Sequence, residues 1–79
     1  MAKFPSDVPK GKAIRTFEML GFKLAREREH INMFRENPDG SRTAVSLPNH
    51  RHIKGSTLRT VCVRAGIPRE DFLTAFERA

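Results

Sequence analysis

Residues 21–48 read GFKLAREREHINMFRENPDGSRTAVSLP, and they carry the clearest architectural signal in the chain. Apolar Ile31 and Met33 alternate with polar His30 and Asn32. Beyond the turn residues Asn37-Pro38-Asp39-Gly40, Ala44-Val45-Ser46-Leu47 alternates again. A period of two marks strands with one buried face, and Pro, Asp and Gly in this order suit a tight turn. His30–Glu36 and Arg42–Leu47 therefore read as a β-hairpin, with Phe22–Arg28 as a strand before it. Successive side chains on a strand point to opposite faces, so turning Ile31 and Met33 inward leaves His30 and Asn32 on an open face. The charge run Arg26-Glu27-Arg28-Glu29 reads as a solvated turn between the first two strands.

Upstream, Ala13, Ile14, Phe17 and Leu20 recur at helical spacing. Pro9 suits a first helical position and Gly21 a left-handed C-cap, so Pro9–Leu20 reads as a helix. Residues 1–8 read as a flexible lead-in, and residues 9–79 as a single domain. Downstream, Asn49–Gly55 is a polar, basic loop, and Ser56 or Thr57 is expected to cap the next helix. Leu58, Val61, Cys62 and Ala65 form a core stripe, which Gly66 ends. Pro68 opens a further short helix, with Glu70 and Asp71 in its first turn and Phe72, Leu73 and Phe76 inward. The expected class is α+β: helix, three-stranded antiparallel sheet, helix and a short C-terminal helix. The helices cover one sheet face, as the alternation requires.

Seventy-nine residues suffice for one small domain. Fifteen Lys and Arg against nine Asp and Glu leave a formal charge of +6, and the pI is near 10.5. That surplus points to polyanions, nucleic acid first and an acidic partner protein second. The single Cys62 excludes an internal disulfide, fits a reducing cytoplasm, and lies on the apolar stripe as a buried filler. No apolar run approaches the ~20 residues of a membrane span, and the N-terminus lacks the apolar segment of a secretory signal. There is no Gly-rich phosphate loop, Ser-centred nucleophile elbow or carboxylate cluster. His50-x-His52 is a poor zinc signal without Cys or carboxylate at ligand spacing, so neither metal nor cofactor is expected.

His30 is the sharpest candidate for chemistry. An imidazole exchanges protons near neutral pH, and RNA carries its own nucleophile in the 2′-hydroxyl. An enzyme need only remove that proton, hold the phosphate in line and neutralise the developing charge, which basic side chains do without a metal. The plain alternative is a strand-borne surface histidine with no role. The segment His50, Arg51, His52, Lys54 reads either as a phosphate-binding edge beside the following helix N-terminus or as an ordinary exposed loop. The candidate phosphate contacts are Lys10, Lys12, Arg28, His50, Arg51 and Lys54. A helix-turn-helix with Pro68–Ala79 as recognition helix ranks low, because Glu70, Asp71 and Glu77 offset Arg69 and Arg78.

One ordered series of motifs is more specific than any of these features alone. It runs Leu20-Gly21-Phe22, His30-Ile31-x-Met33, Pro38-Asp39-Gly40, Leu47-Pro48-x-His50, Lys54-Gly55-Ser56-Thr57-Leu58-Arg59, Ala65-Gly66-Ile67 and Glu70-x-Phe72-Leu73. Over about residues 12–76 it resembles the HicA toxin family, the small mRNA interferases of bacterial toxin–antitoxin pairs. The resemblance implies a fold like the double-stranded RNA-binding domain, metal-independent cleavage of mRNA, and neutralisation by a HicB-type antitoxin. It places the family's strand-borne histidine on His30, its Pro-x-His on His50, and its Lys-Gly-Ser/Thr-Leu segment on Lys54–Leu58. Where many members have a glycine-containing pair before the histidine, this chain has Arg28-Glu29. A free monomer in the cytoplasm is expected. Two alternatives share the fold: an RNA-binding module without cleavage, and an inactive relative that only binds its antitoxin.

Overall fold

The computed structural model describes residues 3–79. At its centre is the expected hairpin, β3 (His30–Glu36) and β4 (Arg42–Pro48), paired without interruption from His30 opposite Pro48 to Glu36 opposite Arg42. Its turn is closed by the Asn37 N–H donating to the Ser41 carbonyl at 2.8 Å. The Asp39 carboxylate accepts the Ser41 N–H at 2.9 Å and also the Ser41 hydroxyl. These bonds, the side-chain one foremost, hold the Asp39 carboxyl below its ordinary pKa of 3.8.

On the other side of β3 lies β2 (Lys23–Glu27), so the sheet order is β2-β3-β4. The pairing shifts between Leu24 and Arg26, where Ala25 is the extra residue of a bulge. Because strand parity is two, one inserted residue exchanges the faces of everything after it. Lys23 stands opposite Phe34 and Arg26 opposite Asn32, both on the open face. Leu24 opposite Met33 and Glu27 opposite Ile31 lie on the helix side. The strand ends one residue inside its expected limits at both ends.

Helix α1 (Lys10–Met19) buries Ala13, Thr16 and Phe17, and Thr16 satisfies its buried hydroxyl by donating to the Lys12 carbonyl at 2.7 Å. Helix α2 (Gly55–Ala65) buries Leu58 and Cys62 and ends at Gly66, whose φ of 70° is left-handed. Helix α3 (Arg69–Arg78) packs on α1; at ten residues it is as long as α1 rather than a short extension. The core joins all three helices to the inner sheet face: Phe17, Ile31, Met33, Leu47, Leu58 and Phe72 are essentially inaccessible to solvent. Each such side chain contributes about 1.5–3 kcal/mol by leaving water. Phe17 also meets Phe22 and Phe72 edge-on, at centroid distances of 5.6 and 5.7 Å.

Two expectations need correction. Part of the lead-in is strand: β1 (Asp7–Pro9) pairs antiparallel with β5 (His52–Lys54), inside the segment expected as loop. The reason is burial, since Val8 and Ile53, directly opposite each other, are both fully enclosed. Phe4 extends the contact by stacking on Phe72 at 5.1 Å. Of the lead-in, Met1 and Ala2 lie outside the described residues. Second, α2 begins at Gly55 with Lys54 as N-cap and no side-chain cap from Ser56 or Thr57. The ribbon delivers backbone straight into the helix, and the Gly55 N–H donates to the Ser6 carbonyl at 2.8 Å instead. Among the described residues, no helix is long and apolar enough to cross a membrane.

Candidate nucleic-acid interface

His30 opens β3 and is exposed, while Ile31 and Met33 on either side of Asn32 are buried. The alternation therefore places the imidazole on the open face, opposite Pro48 of β4. Pro48 has no N–H to give the ladder and stands at the strand end, where that loss is tolerated.

Four segments converge at this end of the sheet. The Arg28-Glu29 turn is closed by the Arg28 N–H donating to the His30 carbonyl at 3.1 Å. Neither residue needs glycine's freedom, because no non-glycine residue among those described has positive φ. Asn49, just past β4, holds the turn twice: its Nδ2 donates to the Arg28 carbonyl at 2.5 Å and its backbone N–H to the Glu29 carbonyl at 3.3 Å. Lys10, at the start of α1, donates from Nζ to Asn49 Oδ1 at 2.9 Å and to Glu27 Oε2 at 3.2 Å. The Lys10 backbone N–H donates to the Arg51 carbonyl at 2.9 Å. The Lys10–Glu27 pair is about a third exposed, at 34% and 37%, so its worth is at most about 1 kcal/mol. Its effect is geometric: it fixes the amide that fixes the histidine turn.

Of the sequence candidates, Arg28, His50 and Arg51 lie in the chain segments next to His30, while Lys10 reaches this end from the helix side through Glu27 and Asn49. The His50 N–H donates to the Pro48 carbonyl at 2.9 Å, which curls the chain back beside the residue facing His30. Lys12 does not join them. Two residues along a helix turn its side chain about 200° from Lys10, and its Nζ sits 4.3 Å from the centroid of the Phe76 ring. Lys54 stands on the β1–β5 ribbon opposite Asp7, about 10 Å of extended chain beyond Arg51. Sequence reasoning missed Asn49 and Glu27. A turn-competent Asn directly after a strand-ending Pro was a signal for the first. Glu27 was hidden by the bulge, which no pattern of residue types announces.

Burial pushes the Cys62 thiol up to about 11, which removes it as a nucleophile at neutral pH. Among the described residues, no group of three or more His, Cys, Asp or Glu side chains could hold a metal ion. What this end of the sheet offers is an exposed imidazole on an open face, beside a turn held by the Asn49 amide and flanked in sequence by Glu29 and Arg28. An exposed imidazole can exchange a proton with a ligand laid on that face. No protein-family model matches this chain, and neither a curated protein nor a solved structure is similar to it at a significant level.

Proposed function

We propose that this protein is a metal-independent endoribonuclease, an mRNA interferase toxin of the HicA kind with a double-stranded RNA-binding-domain-like fold. The observation that carries the reading is the placement of His30: exposed, at the end of an open sheet face, beside a turn held by Asn49, with Arg28, His50 and Arg51 in the chain segments that meet there.

In the proposed reaction an unprotonated His30 nitrogen takes the proton of an RNA 2′-hydroxyl. The freed 2′-oxygen forms a bond to the adjacent phosphorus as the bond from phosphorus to the 5′-oxygen breaks. The leaving oxygen takes a proton from water, and a 2′,3′-cyclic phosphate remains. Arg28 and Arg51 neutralise the phosphoryl oxygens as charge builds on them. The substrate is mRNA in the cytoplasm. A HicB-type antitoxin, acidic where it meets this basic end, is the proposed inhibitor of the free monomer.

The test compares wild type with His30→Ala. Purified protein is incubated with end-labelled RNA in chelator-treated buffer, and each form is induced in bacteria. Wild type is expected to cut RNA and arrest growth. The variant is expected to lose about 10²–10⁴ in rate, the usual contribution of a general base. Equal cleavage by both forms removes His30 from the reaction. Binding without cleavage by wild type makes the protein an RNA-binding module instead.

A further inference from the structure

We infer that the open face of the β2-β3-β4 sheet is a track for single-stranded RNA, with Phe34 as a base-stacking platform upstream or downstream of the bond facing His30. This rests on the ribonuclease reading and specifies its substrate as an unpaired strand.

The strand register carries the argument. The side chains of His30, Asn32, Phe34 and Glu36 share the open face, with Pro48, Ser46, Ala44 and Arg42 opposite them in turn. Ala44 and Ser46 are small, so the middle of the face is low enough for a chain to lie flat on it. Phe34 is a large aromatic only partly buried on this wet face, on the side away from the core built on Ile31 and Met33. The Arg42 guanidinium lies 4.5 Å from its ring centroid and is also bonded to Glu36 at 3.3 Å. Beside the ring is a cleft of about 220 Å³ lined by Gly21, Lys23, Phe34 and Glu36. The guanidinium lies over one face of the ring, so a base entering by the cleft meets the rest of the ring or displaces the arginine and stacks in its place, and aromatic rings and arginine planes both stack unpaired bases.

Charge follows the same line. The Ala25 bulge puts Arg26 on the open face between the His30 end and Lys23. Two cations of β2, Lys23 and Arg26, therefore stand along the face, with Glu36 at its far end. Phe34 lies four strand residues from His30, about 13 Å, so the stacked base and the reacting phosphate belong to different nucleotides of one strand. A stiff duplex buries its base faces within its own stack and has none to offer Phe34.

The full-length His30→Ala protein serves as the test background, with a short single-stranded RNA and the same strand annealed to its complement as probes. Ultraviolet crosslinking and peptide mass spectrometry should attach a nucleotide within Lys23–Glu27 or His30–Glu36, at Phe34. Anisotropy titrations should show Phe34→Leu losing tenfold or more in affinity for the single strand, in line with one stacked base, and Phe34→Tyr regaining it. Thermal melts establish that each variant is folded. If Phe34→Leu does not fold, the exposed Arg42→Gln and Lys23→Gln take its place, each expected to weaken single-strand binding several-fold. Unchanged affinity in these variants, tighter binding of the duplex, or crosslinks confined to the helices overturns the track while leaving the ribonuclease reading intact. A wild-type protein that neither binds nor cuts RNA, but binds an acidic protein instead, overturns both.

Discussion

At the level of single residues, Asn49 and Lys12 make opposite demands on the proposed site. Asn49→Ala removes the donor to the Arg28 carbonyl and the acceptor for Lys10. We expect a loss of about 1–2 kcal/mol in denaturant unfolding, together with slower RNA cleavage because the His30 turn is no longer held. Lys12→Ala loses only its place over Phe76, about 0.5–1 kcal/mol. It should leave cleavage at the wild-type level, and a cleavage defect there would bring Lys12 back into the RNA contact. Cys62 gives a prediction of a different kind. Burial raises its pKa from 9.0 to about 11, so the folded state holds a proton that the unfolded state releases between those values. Stability is therefore insensitive to this group below pH 9 and falls as pH rises from 9 toward 11. A Cys62→Ala variant, compared with wild type in melts across this window, should lose that part of the slope. At pH 8 the wild-type thiol should react with a disulfide reagent only as fast as the protein opens.

Among the elements, two glycines at helix ends separate close approach from backbone conformation. A Cβ on Gly55 would lie 1.9 Å from the Pro5 carbonyl oxygen, so Gly55→Ala must push the N-terminal segment off the first turn of α2. We expect it to cost about 3 kcal/mol or more, read as a large drop in melting temperature. Gly66 has open space around it but a φ of 70°. Gly66→Ala should cost only about 1 kcal/mol, the left-handed penalty. The helices and the β3–β4 hairpin were legible because each is long enough for its hydrophobic period to repeat. Ile31, Met33, Val45 and Leu47 alone orient the hairpin, and with it His30. The β1–β5 ribbon was not legible, since three residues per strand contain one inward side chain each, Val8 and Ile53, and a single apolar residue has no period. The bulge at Ala25 was equally silent. Phe22 and Leu24 before it suggest an unbroken strand, and only the register shows that Arg26 and Glu27 have exchanged faces. For the site, the exposed histidine and Arg28, His50 and Arg51 could be read from residue types. The Lys10–Asn49–Arg28 clamp joins three distant segments and needed the tertiary structure.

Over the whole molecule, five of the fifteen Lys and Arg residues stand where the proposed RNA strand would run. Lys23, Arg26, Arg28, Arg42 and Arg51 belong to the open sheet face or to the end that carries His30. If each neutralises one phosphate, the logarithm of single-strand affinity should fall against the logarithm of salt concentration with a slope of about −3 to −4. Charge-neutral variants at these positions should each flatten the slope by about 0.7. Neutralising Arg64 or Arg78, on α2 and α3, should leave it unchanged. A slope near zero would mean that the basic surface serves something other than a phosphate chain.

The ribbon that ties Asp7 to Lys54 also has a consequence in time. Synthesis on a ribosome runs from the N-terminal side, so Val8 must wait for Ile53 to be made before it has anything to pair with. The β3–β4 hairpin joins sequence neighbours, whereas pairing Val8 with Ile53 closes a far longer loop, so the hairpin is expected to form first. A nascent chain thus displays its histidine early but on an unfastened frame. The base that seats Lys10 against Arg51 closes only when translation is well advanced.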